Sequence, residues 1–131
     1  MEENMKLIIG GYAQGKLQYV CRKYPLETYI ICDGIIPEHL ETQKETVILN
    51  HFHNWVKVRM SEGGDPESEI IPFLEKHPNA IIISSEIGNG IVPLDAFERE
   101  YRERTGRILV ELAARAEEVE RVICGIGQKI K

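Results

Sequence analysis

The chain has little that would place it outside the cytosol or in a membrane. No apolar run approaches the roughly 20 residues that a spanning helix needs. The opening Met1-Glu2-Glu3-Asn4 is acidic, where a secretory leader is basic and then apolar. Cysteine is scarce: Cys21, Cys32 and Cys124 are three residues without metal-type spacing, and they read as reduced thiols, more often core than catalytic. Basic charge is short as well, with 16 Lys and Arg against 21 Asp and Glu and a net charge of -5. That balance argues against nucleic acid, which asks for a basic domain or stripe. Internal repeats and low-complexity segments are absent too. A cytoplasmic protein without membrane or nucleic-acid partners is expected.

What is there fits one globular domain. The 131 residues, 43% hydrophobic and 28% charged, suffice to bury a core. Short apolar runs alternate with helix-patterned stretches. Strands are expected at Leu7–Ile9, Thr28–Cys32, Thr46–Asn50, Ala80–Ser85 and Arg121–Cys124. Helices are expected over Gln18–Lys23, His51–Met60, Pro66–His77 and, longest, Leu94–Glu118, with a short one starting near Pro37. This order predicts an α/β fold with a mostly parallel sheet of about five strands and helices on both faces. Such sheets bind ligands beyond the carboxyl ends of their strands. Gly10 to Lys16, Asp33, Asn50-His51 and the loop from Glu86 to Pro93 all fall there.

The first strand empties into Gly10-Gly11-Tyr12-Ala13-Gln14-Gly15-Lys16-Leu17. Strand, glycine loop, lysine and helix is the arrangement of a P-loop, in which inward-turned backbone N–H groups and a helix N-terminus hold phosphate. Lys16 supplies a point charge for the β- and γ-phosphates. The spacing G-x-x-x-x-G-K is met, but the next position, Ser or Thr in the motif, is Leu17, which has no oxygen for Mg²⁺. The bland alternative is a tight turn with a surface lysine.

Four further strings point to one family: Ser85-Glu86-Ile87-Gly88-Asn89-Gly90-Ile91-Val92-Pro93, Arg104-Thr105-Gly106-Arg107, Ala113-Ala114-Arg115-Ala116-Glu117-Glu118-Val119, and Cys124-Gly125-Ile126-Gly127-Gln128-Lys129-Ile130-Lys131. With the glycine loop, they resemble the adenosylcobinamide kinase/adenosylcobinamide-phosphate guanylyltransferase family. The resemblance implies a P-loop NTPase-like (RecA-like) three-layer sandwich, a role in cobalamin biosynthesis and assembly as a homo-oligomer. It implies GTP or ATP as nucleotide, adenosylcobinamide or another corrinoid as partner, and a kinase step followed by guanylyl transfer through a histidine. Nucleotide contacts then fall on Gly10, Gly11, Tyr12, Ala13, Gln14, Gly15, Lys16, Leu17, Cys32, Asp33 and Asn50. The substrate loop falls on Gly88, Asn89, Gly90 and Pro93, and the catalytic candidates are Lys16 and Glu86.

The chain departs from that family in three places. Leu17 replaces the P-loop serine. Asn50 stands where the third strand ends in an acid, and an amide oxygen is a weaker partner for a hard cation. The interval between the second and third strands is short and holds only His39, in surroundings unlike those of the guanylylated histidine. Kinase-type transfer is therefore the most that is expected; the alternative is a degenerate P-loop protein that binds nucleotide or corrinoid. His51 and His53 serve either as general base or replacement ligands, or as a helix-start pair with one ring in the core. Arg102, Arg104 and Arg107 read as a charge-paired helix face, and Trp55 and Tyr101 as core or subunit interface.

Overall fold

The computed structural model describes residues 4–24, 29–37, 46–86 and 95–131. In chain order they form β1 (Lys6–Gly10), α1 (Lys16–Lys23), β2 (Tyr29–Asp33), β3 (Thr46–Asn50), α2 (Phe52–Ser61), α3 (Pro66–Lys76), β4 (Ile81–Ser85), α4 (Ala96–Arg115), β5 (Glu118–Ile123) and β6 (Ile126–Lys129). The sheet runs β2-β3-β4-β1-β5-β6, parallel through its first five strands, and β6 returns antiparallel to β5. This is a P-loop NTPase-like α/β fold.

The strands carry apolar residues in unbroken runs because both faces are covered. Leu7, Val47, Leu49, Ile82 and Val119 point into the larger core, built with Phe52, Trp55 and Val56 of α2, Ile70, Phe73 and Leu74 of α3, and Tyr101, Ile108 and Leu112 of α4. Trp55 and Tyr101 are thus core residues. The opposite set, Ile8, Ile48, Ile81, Ile83 and Val122, packs with Val20 and Leu17 of α1. Asp95 caps α4 by accepting from the Phe97 and Glu98 N–H groups, and Arg104 ties α4 to α3 through Glu67.

Two details go beyond the expectations. The five expected parallel strands gain a sixth, antiparallel one, because Cys124 and Gly125 both adopt positive φ (51° and 75°) and reverse the chain. A two-residue turn with both central residues left-handed matches the twist of a hairpin, so residues 126–129 become β6 rather than a tail. The long helix stops at Arg115, and the last parallel strand begins at Glu118, three residues before the expected Arg121. Pairing with β1 and burial of Val119 outweigh the helical propensity of Ala116-Glu117-Glu118. Of the three thiols, Cys32 is buried, but Cys124 is exposed at the hairpin turn and is not a core residue. The short helix expected near Pro37 and residue His39 fall largely outside the described residues.

Candidate functional site

The carboxyl ends of β2, β3, β4 and β1, with the β5–β6 turn, lie side by side along one rim. They set Asp33, Asn50, Ser85, Gly10 and Cys124–Gly125 in that order. The loop at Gly10 is built by backbone. A Cβ on Gly10 would stand 2.6 Å from the Val122 carbonyl oxygen, so glycine alone permits β5 to lie this close. Ala13 and Gly15 have φ of 57° and 81°, while the residues between and before them lie outside the left-handed region. Left-handed residues at alternate positions are the backbone pattern that an anion nest requires. Gly15 precedes α1, whose first turn carries no acidic side chain.

Lys16 folds back across the loop. Its Nζ donates to the Gly11 carbonyl at 2.7 Å and reaches Ser85 Oγ at 3.5 Å. Burial lowers its pKa, opposed by the Glu86 carboxylate. Gln14 turns away and fastens the loop. Its side-chain Oε1 accepts from Cys124 N–H and its carbonyl from Gly125 N–H, both at 2.8 Å. Tyr12 stands almost fully exposed at the tip. Leu17 packs into the smaller core and offers the loop nothing polar.

The second half of the site is a corner of side chains at the ends of β2 and β3. His51 Nδ1 lies 2.5 Å from Asp33 Oδ1, and Asn50 Nδ2 donates to the same oxygen at 3.0 Å. His51 holds a left-handed backbone (φ 53°) at the start of α2. Strain of that kind persists only where surrounding contacts enforce it. Two residues on, His53 Nδ1 accepts the Ser85 N–H at 3.1 Å, and Tyr101 donates to the His53 carbonyl. The two imidazoles meet edge to face with centroids 5.8 Å apart. Burial first, then the charges of His51 and Lys16, push the His53 pKa down to about 4. Ser85 therefore links Lys16 to His53 directly.

Glu86 occupies the rim between the halves. Arg121 of β5 grips both of its oxygens, Nε to Oε1 at 2.9 Å and Nη2 to Oε2 at 3.1 Å, and Glu86 N–H bonds to the Gly10 carbonyl. The side chains do not fit a hard-cation cradle: Leu17 has no donor atom, Asn50 and His51 are engaged with Asp33, and Glu86 is taken by Arg121. Among the described residues no cluster of three His, Cys, Asp or Glu side chains could hold a metal ion.

The structure brings together Gly10, Gly11, Lys16, Asp33, Asn50, His51, His53 and Glu86. Cys32 sends its side chain into the larger core, where burial raises its thiol pKa, leaving only backbone toward the rim. Arg107 pairs with Glu103 along α4, away from the loop. Gly88, Asn89, Gly90 and Pro93 lie outside the described residues. Sequence reasoning missed Arg121, Ser85 as a bridge, and the hairpin that pins Gln14.

Comparisons with known proteins agree with this architecture. The family model described as cobinamide kinase/cobinamide phosphate guanyltransferase matches residues 26–130, a span that starts beyond the glycine loop. A bifunctional adenosylcobalamin biosynthesis protein, CobU, of Salmonella typhimurium is 33% identical over 106 residues, covering 76% of this chain and 59% of that relative. The CobU of Escherichia coli is 45% identical over 51 residues, 39% of this chain and 28% of the relative. The chain thus spans less than two thirds of the length of these relatives. The chain belongs to the cobinamide kinase/cobinamide phosphate guanyltransferase family.

Proposed function

We propose that the protein binds a nucleoside triphosphate, GTP or ATP, on the glycine loop and transfers its terminal phosphoryl group to the hydroxyl of a cobinamide. The observation that carries this reading is the Lys16 ammonium, held across the loop between the Gly11 carbonyl and Ser85 Oγ. A phosphate entering the nest would displace the weak Ser85 contact and take the ammonium's charge, which burial makes costly to leave unpaired. The family relationship supports a corrinoid as acceptor and a place in adenosylcobalamin biosynthesis. Guanylyl transfer is not part of the proposal, since His39, the sole histidine between β2 and β3, sits in a sequence unlike the family's. A homo-oligomer in the cytoplasm is the setting we propose.

A second reading is favoured by the chemistry of two positions: Asn50 is an amide whose nitrogen donates to Asp33, and the Glu86 carboxylate is closed by Arg121, so neither offers a free carboxylate to a cation. The protein would then bind nucleotide or corrinoid without transferring phosphate. Calorimetric titration with GTP and with ATP, each with and without Mg²⁺, followed by an assay of GDP or ADP release with adenosylcobinamide, separates the two. Transfer supports the first reading; tight binding without transfer supports the second. Lys16→Ala should weaken nucleotide binding at least ~30-fold, the loss expected when one partner of a desolvated charge pair is removed. Unchanged affinity with an intact circular dichroism spectrum would remove the loop from the argument.

A further inference from the structure

Two histidines stand at this rim with opposite proton arrangements, and neither the family match nor the glycine motif assigns them a role. At His51, Nδ1 lies 2.5 Å from the Asp33 carboxylate. A lone pair facing a carboxylate oxygen at that distance would be repelled, so Nδ1 carries the proton and donates it to Asp33. In the neutral ring, Nε2 then keeps its lone pair. Asn50 Nδ2, 3.3 Å from Nδ1, finds its acceptor on Asp33 instead. At His53 the order is reversed. Its Nδ1 accepts from the Ser85 backbone N–H, so the neutral ring carries its proton on Nε2 and is a donor.

We propose that His51 is the general base of the phosphoryl transfer, with Asp33 as its positioning residue and His53 as a neutral hydrogen-bond donor beside it. The inference rests on the kinase reading and deepens it. The acceptor hydroxyl attacks the terminal phosphorus of the nucleotide. As that O–P bond forms, His51 Nε2 takes the hydroxyl proton. The bond from phosphorus to the bridging oxygen breaks, and its electron pair leaves with the nucleoside diphosphate. The imidazolium, stabilised by Asp33, returns its proton to water from its half-exposed position. The rim provides the placement. His53 shares Ser85 with Lys16, which marks where the terminal phosphate would sit, and His51 meets His53 edge to face on the side away from the glycine loop. The charged and titratable groups around the pair include Asp33 from β2, Lys16 from α1, Tyr101 from α4 and each histidine itself. Glu86 is neutralised by Arg121.

The test compares the parent chain with His51→Asn and Asp33→Asn. Asparagine tolerates the left-handed backbone at position 51, so the variant should fold. Steady-state transfer from GTP to adenosylcobinamide is measured with GTP affinity by calorimetry, and ¹⁵N NMR reads the imidazole tautomers. His51→Asn should lower kcat by about 10²–10⁴-fold, the range for loss of a positioned general base, with GTP affinity nearly unchanged. Asp33→Asn should lower kcat and also shift His51 from the Nδ1–H toward the Nε2–H form, a signature that a purely structural role would not produce. Parent-like kcat in His51→Asn overturns the inference while leaving the kinase reading standing. An acid-labile phosphohistidine at position 51 overturns it too, by making the ring a nucleophile. A parent that binds GTP but transfers nothing overturns both.

Discussion

The glycine loop and the Asp33–His51 corner lie on the same rim, two to three strand spacings or about 10–14 Å apart, yet they are held by different means. The loop owes its shape to backbone: positive φ at Ala13 and Gly15, a missing Cβ at Gly10 and two hydrogen bonds that Gln14 accepts from the hairpin. The corner owes its shape to side chains, with Asn50 and His51 sharing one Asp33 oxygen. Backbone geometry tolerates almost any side chain that keeps φ and the glycines. A side-chain network changes its chemistry with a single replacement. The contrast suits the two proposed roles: a loop to grip the phosphate that every nucleotide shares, and a corner to handle one proton.

The comparison breaks first at Gly10. Gly10→Ala drives a Cβ against the Val122 carbonyl, so β1 and β5 must separate; a loss of ~3 kcal/mol in urea unfolding is expected, with loss of nucleotide binding. Wild-type stability would show that the backbone yields, and that the loop is not fixed as described. The corner answers to pH. Because the folded chain keeps His53 near 4 against 6.5 in the unfolded chain, the unfolded state binds a proton that the folded state refuses. Stability should therefore fall as pH drops from about 6.5 to about 4. His53→Gln, which keeps an acceptor for the Ser85 N–H, should show a shallower decline in urea midpoint over that window. Equal slopes would mean that the ring is not shielded.

A comparable acid limb belongs to neither half and serves as a reference. Arg104 holds the Glu67 carboxyl at about 2, below its usual 4.5, so this pair contributes above about 4.5 and is lost as pH falls toward 2. Arg104→Ala should flatten that lower limb while leaving the His53 window in place. The smallest effect is expected from Gln14→Ala, which removes the Cys124 N–H partner but leaves the Gly125 bond: ~1 kcal/mol of stability and a modest loss of GTP affinity. If affinity falls as far as in Lys16→Ala, Gln14 touches the ligand.

Local pattern made much of the fold legible. Thr46–Asn50 was readable to the residue because four consecutive apolar or β-branched positions, Thr46 to Leu49, run into the polar Asn50, and α3 because Pro66 opens it and its apolar residues recur at helical spacing. The glycine loop was legible as spacing. The corner was not, because Asp33 and His51 are 18 residues apart and meet only when β2 and β3 pair in parallel. Arg121 was hidden for the same reason, its partner Glu86 lying 35 residues upstream. β6 escaped because its two-residue turn is Cys-Gly, where a left-handed first residue is usually announced by Asn, Asp or Gly.

The clasp between Gln14 and the hairpin turn spans 110 residues of sequence. In synthesis from the N-terminus, the glycine loop leaves the ribosome 110 residues ahead of the hairpin that fastens it. Until Cys124 and Gly125 emerge, Gly10–Lys16 is without both hydrogen bonds and without the β5 backbone that walls in Gly10. Truncation before Cys124 should therefore remove the proposed nucleotide binding in one step, and not in proportion to the length lost.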